Sequence, residues 1–221
     1  IRSYMNSVVR VPLNTSPEQF ARLKALQSAF AEVCNALAPE VQRTRVWNRL
    51  ALHHMHYRSL REKFPALGSQ MVCNAIYAVS RTSRMVFQAQ ASPFNVAKLG
   101  DKPLPLLQFA DSCPVYFDRH TLSIKSTKLS LFTLDGRMHF ELTLPESQLL
   151  LFKVAKLREI SLTRKSSGVF ELAFWLESQQ TLTQQEAQAV LDGQTAASDL
   201  LPLALISQSP IPDYVSIKVA A

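Results

Sequence analysis

The hydrophobic period changes once along this chain, and that change limits the folds open to it. From Ser16 to about Ala91, apolar residues recur every three or four positions, as on one face of a helix; from Val115 onward they alternate, as on a strand with one buried side. Helices and strands segregated in this way imply an α+β protein with an antiparallel sheet. One short β-branched run, residues 5–13 around Pro12, precedes the helices and reads as a strand.

The helical stretch divides into three. Ser16-Pro17-Glu18-Gln19 supplies a capping serine, a first-turn proline and a capping-box glutamine, and Phe20, Leu23, Leu26, Phe30, Val33 and Leu37 follow at helical spacing. A second helix is expected from about Val41 to Phe64, with Trp47, Leu50, His54, Tyr57 and Phe64 on one side, stopped by Pro65. A third opens at Ser69 and continues to about Ala91, with Val72, Ile76, Val79, Ser83 and Val86 inward. Beyond the connector Lys98–Pro105, strands are expected at 115–117, 121–125, 128–132, 137–142, 157–164 and 169–177, with Asp135-Gly136 and Lys165–Gly168 as hairpin turns. The first strand then completes an antiparallel β-barrel of OB-like type whose other strands follow residue 110, with the helices as an insertion after the first strand. The boundaries are 1–13 for the first strand, 14–96 for the helical insertion, 97–180 for the rest of the barrel and 181–221 for an acidic extension. That extension holds an expected helix at 183–191 and a β-like run at 214–219.

Charge is distributed unevenly. Lys plus Arg outnumber Asp plus Glu by 12 to 4 in residues 1–96, stand at 11 to 9 in residues 97–180, and fall to 1 against 4 in residues 181–221. The basic excess lies on the helices, with Arg43, Arg45, Arg49, Arg58, Arg61, Arg81 and Arg84 offering planar forks suited to phosphate, so a polyanion is the expected partner. A solvated basic helix face is the plainer reading of the same residues.

Other chemistry is poorly represented. Cys34, Cys73 and Cys113 form no CxxC or CxxH unit, His53, His54 and His56 lack the i,i+4 spacing for a shared metal, and no GxGxxG, P-loop or GxSxG occurs. No cofactor, no metal and no enzymatic activity are expected, with His54 packed on the apolar side of its helix and His53 and His56 able to meet phosphate. The longest apolar runs, such as Leu149–Phe152, are far short of a membrane span, and no basic-apolar leader opens the sequence at Ile1, so a cytoplasmic protein without a membrane partner is expected.

Gln70 and Asn74 stand four apart at the start of the third helix and are the residue types that pair bidentately with adenine in a major groove. Equally, the segment reads as a cap, with Ser69 at the N-cap and Gln70 exposed in the first turn. Arg81 and Arg84, farther along, could grip phosphates. On the strands, Lys125, Lys128, Lys156, Arg158, Arg164 and Lys165 together with Tyr116 and Phe117 suit RNA backbone and stacked bases, although edge strands also carry Lys to prevent aggregation.

Two segments carry a family resemblance. Tyr57-Arg-Ser-Leu-Arg-Glu-Lys-Phe-Pro-Ala-Leu-Gly-Ser-Gln-Met-Val-Cys-Asn-Ala-Ile resembles the helical recognition segment of TnpB-like proteins and type V CRISPR effectors, and Tyr116-Phe-Asp-Arg-His-Thr-Leu-Ser-Ile with Lys128-Leu-Ser-Leu-Phe-Thr-Leu-Asp-Gly-Arg resembles their wedge barrel. The resemblance covers about residues 5–178 in the family's order. It implies an RNA-guided, DNA-targeting system from the transposon and CRISPR setting, in which the wedge holds the guide RNA scaffold and the recognition helices contact a duplex motif beside the target. On this reading Tyr57, Arg61, Gln70, Asn74, Arg81 and Arg84 face target DNA, while Arg43, Arg45, Arg49, Tyr116 and the strand cations face guide RNA. The RuvC carboxylates of the family have no counterpart here, which points to a nuclease-deficient binding protein, its nuclease or effector subunit docking through residues 181–221. A protein-interaction module, using its basic helices against an acidic partner, is the alternative.

Overall fold

The computed structural model describes residues 2–125, 127–181 and 211–219. Strand β1 (Arg2–Pro12) leads into helices α1 (Pro17–Thr44), α2 (Arg49–Lys63) and α3 (Ser69–Phe87), and the remaining strands follow, so the α+β class and the segregated order both hold. Ser16 and Gln19 form the reciprocal capping box that starts α1. Leu23, Leu26, Phe30, Val33 and Leu37 of α1 are buried, as are all five inward positions expected on α3.

Helix boundaries differ from the periodic reading most between α1 and α2, and α3 ends at Phe87 instead of near Ala91. Helix α1 continues through Pro39 to Thr44 and stops where Arg45 turns left-handed at φ 56°, so Val41 belongs to α1. Asn48 then starts α2 afresh, its side chain accepting from the amides of Leu50 and Ala51. This restart shifts the inward face: Leu52 and Leu60 are buried, Leu50 is 66% exposed and His54 is exposed rather than packed. At α3 the N-cap position is Gly68, not Ser69. Gly68 has φ +75°, and a Cβ there would stand 3.3 Å from the ring of Phe132, so both backbone and space call for glycine.

The strands make three antiparallel ladders. One joins β1, β8 (Phe170–Thr181), β7 (Lys156–Arg164) and β3 (Val115–Phe117) in that order; another joins β4 (Leu122–Lys125), β5 (Lys128–Thr133) and β6 (Gly136–Glu141). The third pairs β2 (Leu106–Phe109) with β9 (Val215–Lys218). First and later strands therefore share a sheet, as the insertion reading requires, but no ladder closes into a barrel among the described residues. The last pairing also corrects the domain boundary at residue 181: Val215 is buried and residues 215–218 complete a sheet, so this part of the acidic stretch belongs to the fold. Strand β2 and the helices α4 (Val96–Leu99) and α5 (Glu146–Val154) have no counterpart in the periodic reading. The helix expected at 183–191 lies outside the described residues.

In the four-stranded sheet, alternation sorts side chains into two faces. Register puts Val9, Phe174, Ile160 and Phe117 in one row and Val11, Leu172, Leu162 and Val115 in the next, all buried. Phe20 of α1 packs on Phe170 and Phe152 of α5 on Phe174, covering this apolar face. The opposite face carries Tyr116, Ser161, Glu159 and Trp175. Polar side chains of α1 fix the connector before β3: Asn35 exchanges two hydrogen bonds with the backbone of Phe109, and Gln27 and Gln42 donate to the carbonyls of Cys113 and Leu104.

Candidate nucleic-acid interface

Because α2 buries only Leu52 and Leu60, most of its surface faces outward. Arg49, His53, Tyr57 and Arg61 recur every four residues along it, forming one ridge that winds by about 40° per step. The rings of His53 and Tyr57 stack at 4.6 Å with an 18° interplanar angle. The Arg49 guanidinium lies over the Tyr77 ring of α3, 5.3 Å from its centroid. Arg61 is half-buried, and its Nη1 is buried with no hydrogen-bond partner. Burial raises the pKa of the half-buried Cys73 thiol on α3, while Arg49 and Arg61 both pull it down, so both cations act on the groove between α2 and α3. Arg84 adds an exposed cation on α3. Cations interleaved with flat rings suit a strand whose backbone is anionic and whose bases stack.

Residues expected to read a duplex behave differently. Gln70 donates to the Asp118 carboxylate at 2.5 Å, and Asn74, only 5% exposed, donates to the Thr121 hydroxyl at 3.5 Å. Both side chains do project from one face of α3, but that face meets the 118–121 turn before β4. In this arrangement they secure α3 to the sheet. The Asp118 carboxylate also accepts from the amides of His120 and Thr121, making the turn a compact polar unit.

Arg81 and Tyr116 are committed to the interior as well. Arg81 donates through Nε to Glu159 at 3.1 Å, the Tyr77 hydroxyl donates to the same Glu159 oxygen, and the Arg81 guanidinium lies 5.8 Å from the Tyr116 ring centroid. Burial foremost, then the Glu159 bond, pushes Tyr77 up to about 12. Tyr116 is 5% exposed, its phenol also pushed up chiefly by burial, and therefore offers no open ring face for a base. Arg81 Nε is held by Glu159 and its Nη1 by the Met85 sulfur, so only part of the guanidinium is left for another acceptor.

Among the expected RNA contacts, Lys125, Lys128 and Lys156 are exposed and Arg164 is half-exposed. Lys125 and Lys128 stand directly opposite one another in the β4–β5 ladder, a like-charge pair that an anion would relieve. Arg158 pairs with Glu177 and Lys165 with Glu171 at 2.5 Å, while Arg43 pairs with Glu40 and Arg45 donates to the carbonyls of Gly100 and Lys102. The structure thus brings Tyr57, Arg61 and Arg49 together on one ridge with His53, which the sequence offers, with His56, as a phosphate contact. The i,i+4 spacing was the available signal.

Among the described residues no group of three or more His, Cys, Asp or Glu could hold a metal, and no helix is long and apolar enough to cross a membrane. No protein-family model matches the chain and no curated protein matches it, so the likeness to TnpB-like proteins rests on the two sequence segments that carry it.

Proposed function

We propose that this chain is a non-catalytic nucleic-acid-binding protein of an RNA-guided DNA-targeting system, with a guide RNA scaffold and a target-adjacent duplex as its ligands. The observation that carries the reading is the ridge of Arg49, His53, Tyr57 and Arg61, where two cations flank a pair of stacked rings along an otherwise lightly packed helix. The strands act as a wedge-like, OB-like barrel for the RNA, with Lys125, Lys128, Lys156 and Arg164 along its rim, and α2 faces the nucleic acid. Cleavage, where the system needs it, is performed by a nuclease or effector subunit that docks through the acidic extension 181–221. With Mg²⁺ or Mn²⁺ the chain alone leaves DNA intact; metal-dependent cutting that follows the protein through purification and vanishes on changing one carboxylate overturns this.

The decisive experiment is recovery and sequencing of RNA that co-purifies with the full chain. A discrete structured RNA supports guide binding, and its absence removes it. A second reading has an observation of its own: Leu150 and Val154 on α5 are 58% and 64% exposed, beside a 41% exposed Leu157, as a protein-interaction module would require. Salt titration separates them. Log affinity for duplex DNA falls linearly with log salt at a slope of about 0.9 per phosphate neutralised, whereas an interface of apolar anchors responds weakly.

A further inference from the structure

The polar face of the four-stranded sheet lines an open cleft of about 410 Å³, large enough for a small ligand. Alternation along the strands sets its walls: Glu159 and Ser161 point the same way from β7, and Trp175 on β8 is the direct register partner of Glu159. Arg81 and Met85 of α3 close one side, and Pro212 closes another. A second cavity of about 490 Å³ also has Glu159 in its lining, so this carboxylate faces both.

Glu159 is only half used by the fold. Tyr77 and Arg81 both donate to its Oε2, and among the described residues no hydrogen bond reaches Oε1. The Ser161 hydroxyl likewise makes none among them. The Glu159 side chain is 15% exposed and lines the cavity, where its remaining oxygen can accept from a bound donor. The cavity therefore offers a carboxylate oxygen, an adjacent guanidinium and the indole of Trp175.

We infer that this cavity receives a single unstacked guanine base from a bound RNA strand. Guanine presents ring and exocyclic N–H donors beside a carbonyl acceptor, matching the free Glu159 oxygen and the Arg81 guanidinium, with Trp175 as the surface for stacking. A cationic ligand such as an arginine side chain would meet Arg81 at the same carboxylate. Adenine lacks the ring N–H. This inference rests on the proposed RNA binding, but it uses residues separate from the α2 ridge.

The test compares two RNA nonamers, nine adenines and the same strand with a central guanine, against the full-length chain by fluorescence anisotropy at low salt. The guanine strand is expected to bind about tenfold tighter and to quench tryptophan emission. Glu159→Gln retains one oxygen for Tyr77 and Arg81 while replacing the other with a donor, so the preference should fall below about twofold. Trp175→Leu should reduce it with Glu159 intact, and Arg49→Ala should weaken both strands by the same factor. Equal binding of the two strands, or a guanine preference that survives both cavity variants, overturns the inference and leaves RNA binding standing. Failure of both strands to bind overturns both.

Discussion

Helices α2 and α3 lie side by side yet are built to different ends. Twelve residues of α3 are buried, including Met71, Val72, Ile76 and Val79, against two of α2. Packing on α3 leaves little that can change partners: even Gln70, Asn74 and Arg81 are held by the sheet. On α2 the lighter burial leaves Arg49 exposed and His53, Tyr57 and Arg61 half-buried. The contrast teaches that a polar residue near a helix start is not thereby a contact residue; what decides is whether a neighbouring turn already uses it.

The comparison breaks most easily in the core. Ile76→Ala on α3 should cost about 2–5 kcal/mol in urea denaturation, because the side chain is fully buried and its removal leaves a cavity. Leu50→Ala on α2 should stay within about 0.5 kcal/mol. Comparable losses at both sites would mean that α2 is packed against something in solution, and the contrast between the helices would fail.

Next come the polar anchors. Asn74→Ala should destabilise by about 1–3 kcal/mol, since it removes a buried amide and strips Thr121 of a partner, and Gln70→Ala by roughly 1 kcal/mol through loss of the Asp118 bond. Neither should alter sequence preference on duplex DNA. A Gln70→Ala chain of unchanged stability that loses discrimination at one base pair would restore α3 as the reading element.

Much of this fold was legible because its signals are local. The capping box of α1, the apolar stripe of α3 and the Asp135-Gly136 turn each depend on residues within a few positions. The α1–α2 break was not legible: Pro39 sits inside the helix, and termination comes instead at Arg45, whose side chain bonds to Gly100 and Lys102, 55 and 57 residues away. Strand β2 needed β9, more than 100 residues downstream, to be a strand at all. The candidate site divides in the same way. Arg49, Tyr57 and Arg61 could be picked by type, but the Arg81–Glu159 pair joins residues 78 apart, and Arg158–Glu177 and Lys165–Glu171, although they cross a single hairpin, depend on side-chain geometry that residue type does not reveal.

The junction of α3 with β7 should show itself at high pH. Burial first, then the Glu159 carboxylate, raises Tyr77 from its ordinary value of 10 to about 12, whereas the unfolded chain ionises near 10. Below pH 10 both states hold the proton and the folded state keeps its full advantage. Between 10 and 12 the unfolded state loses its proton first, so stability falls across that window. Tyr77→Phe should blunt the fall without abolishing it, because Tyr116 and Tyr214 are also raised, chiefly by burial. Melting temperatures measured from pH 8 to 12 check this; a decline of the same depth in the variant would assign it to the other tyrosines.

The smallest effect on stability belongs to the ridge, and there the contrast with α3 is sharpest. Arg49 is exposed, and its described neighbour is the Tyr77 ring, so Arg49→Ala removes one cation–π contact. An exposed contact of that kind is worth about 0.5–1 kcal/mol, and the net loss should lie at or below the lower figure once the long side chain regains its freedom. Binding should respond more clearly. If Arg49 neutralises one phosphate, the salt slope on duplex DNA falls by about one unit while the relative order of sequences is unchanged, because a phosphate contact carries no base information. Tyr57→Ala, in contrast, should leave that slope alone and weaken single strands more than duplexes, since it removes the ring stacked on His53 and no charge. Identical salt slopes for wild type and Arg49→Ala would take the ridge out of the nucleic-acid interface, and α2 would then be a solvated basic helix beside a rigid one.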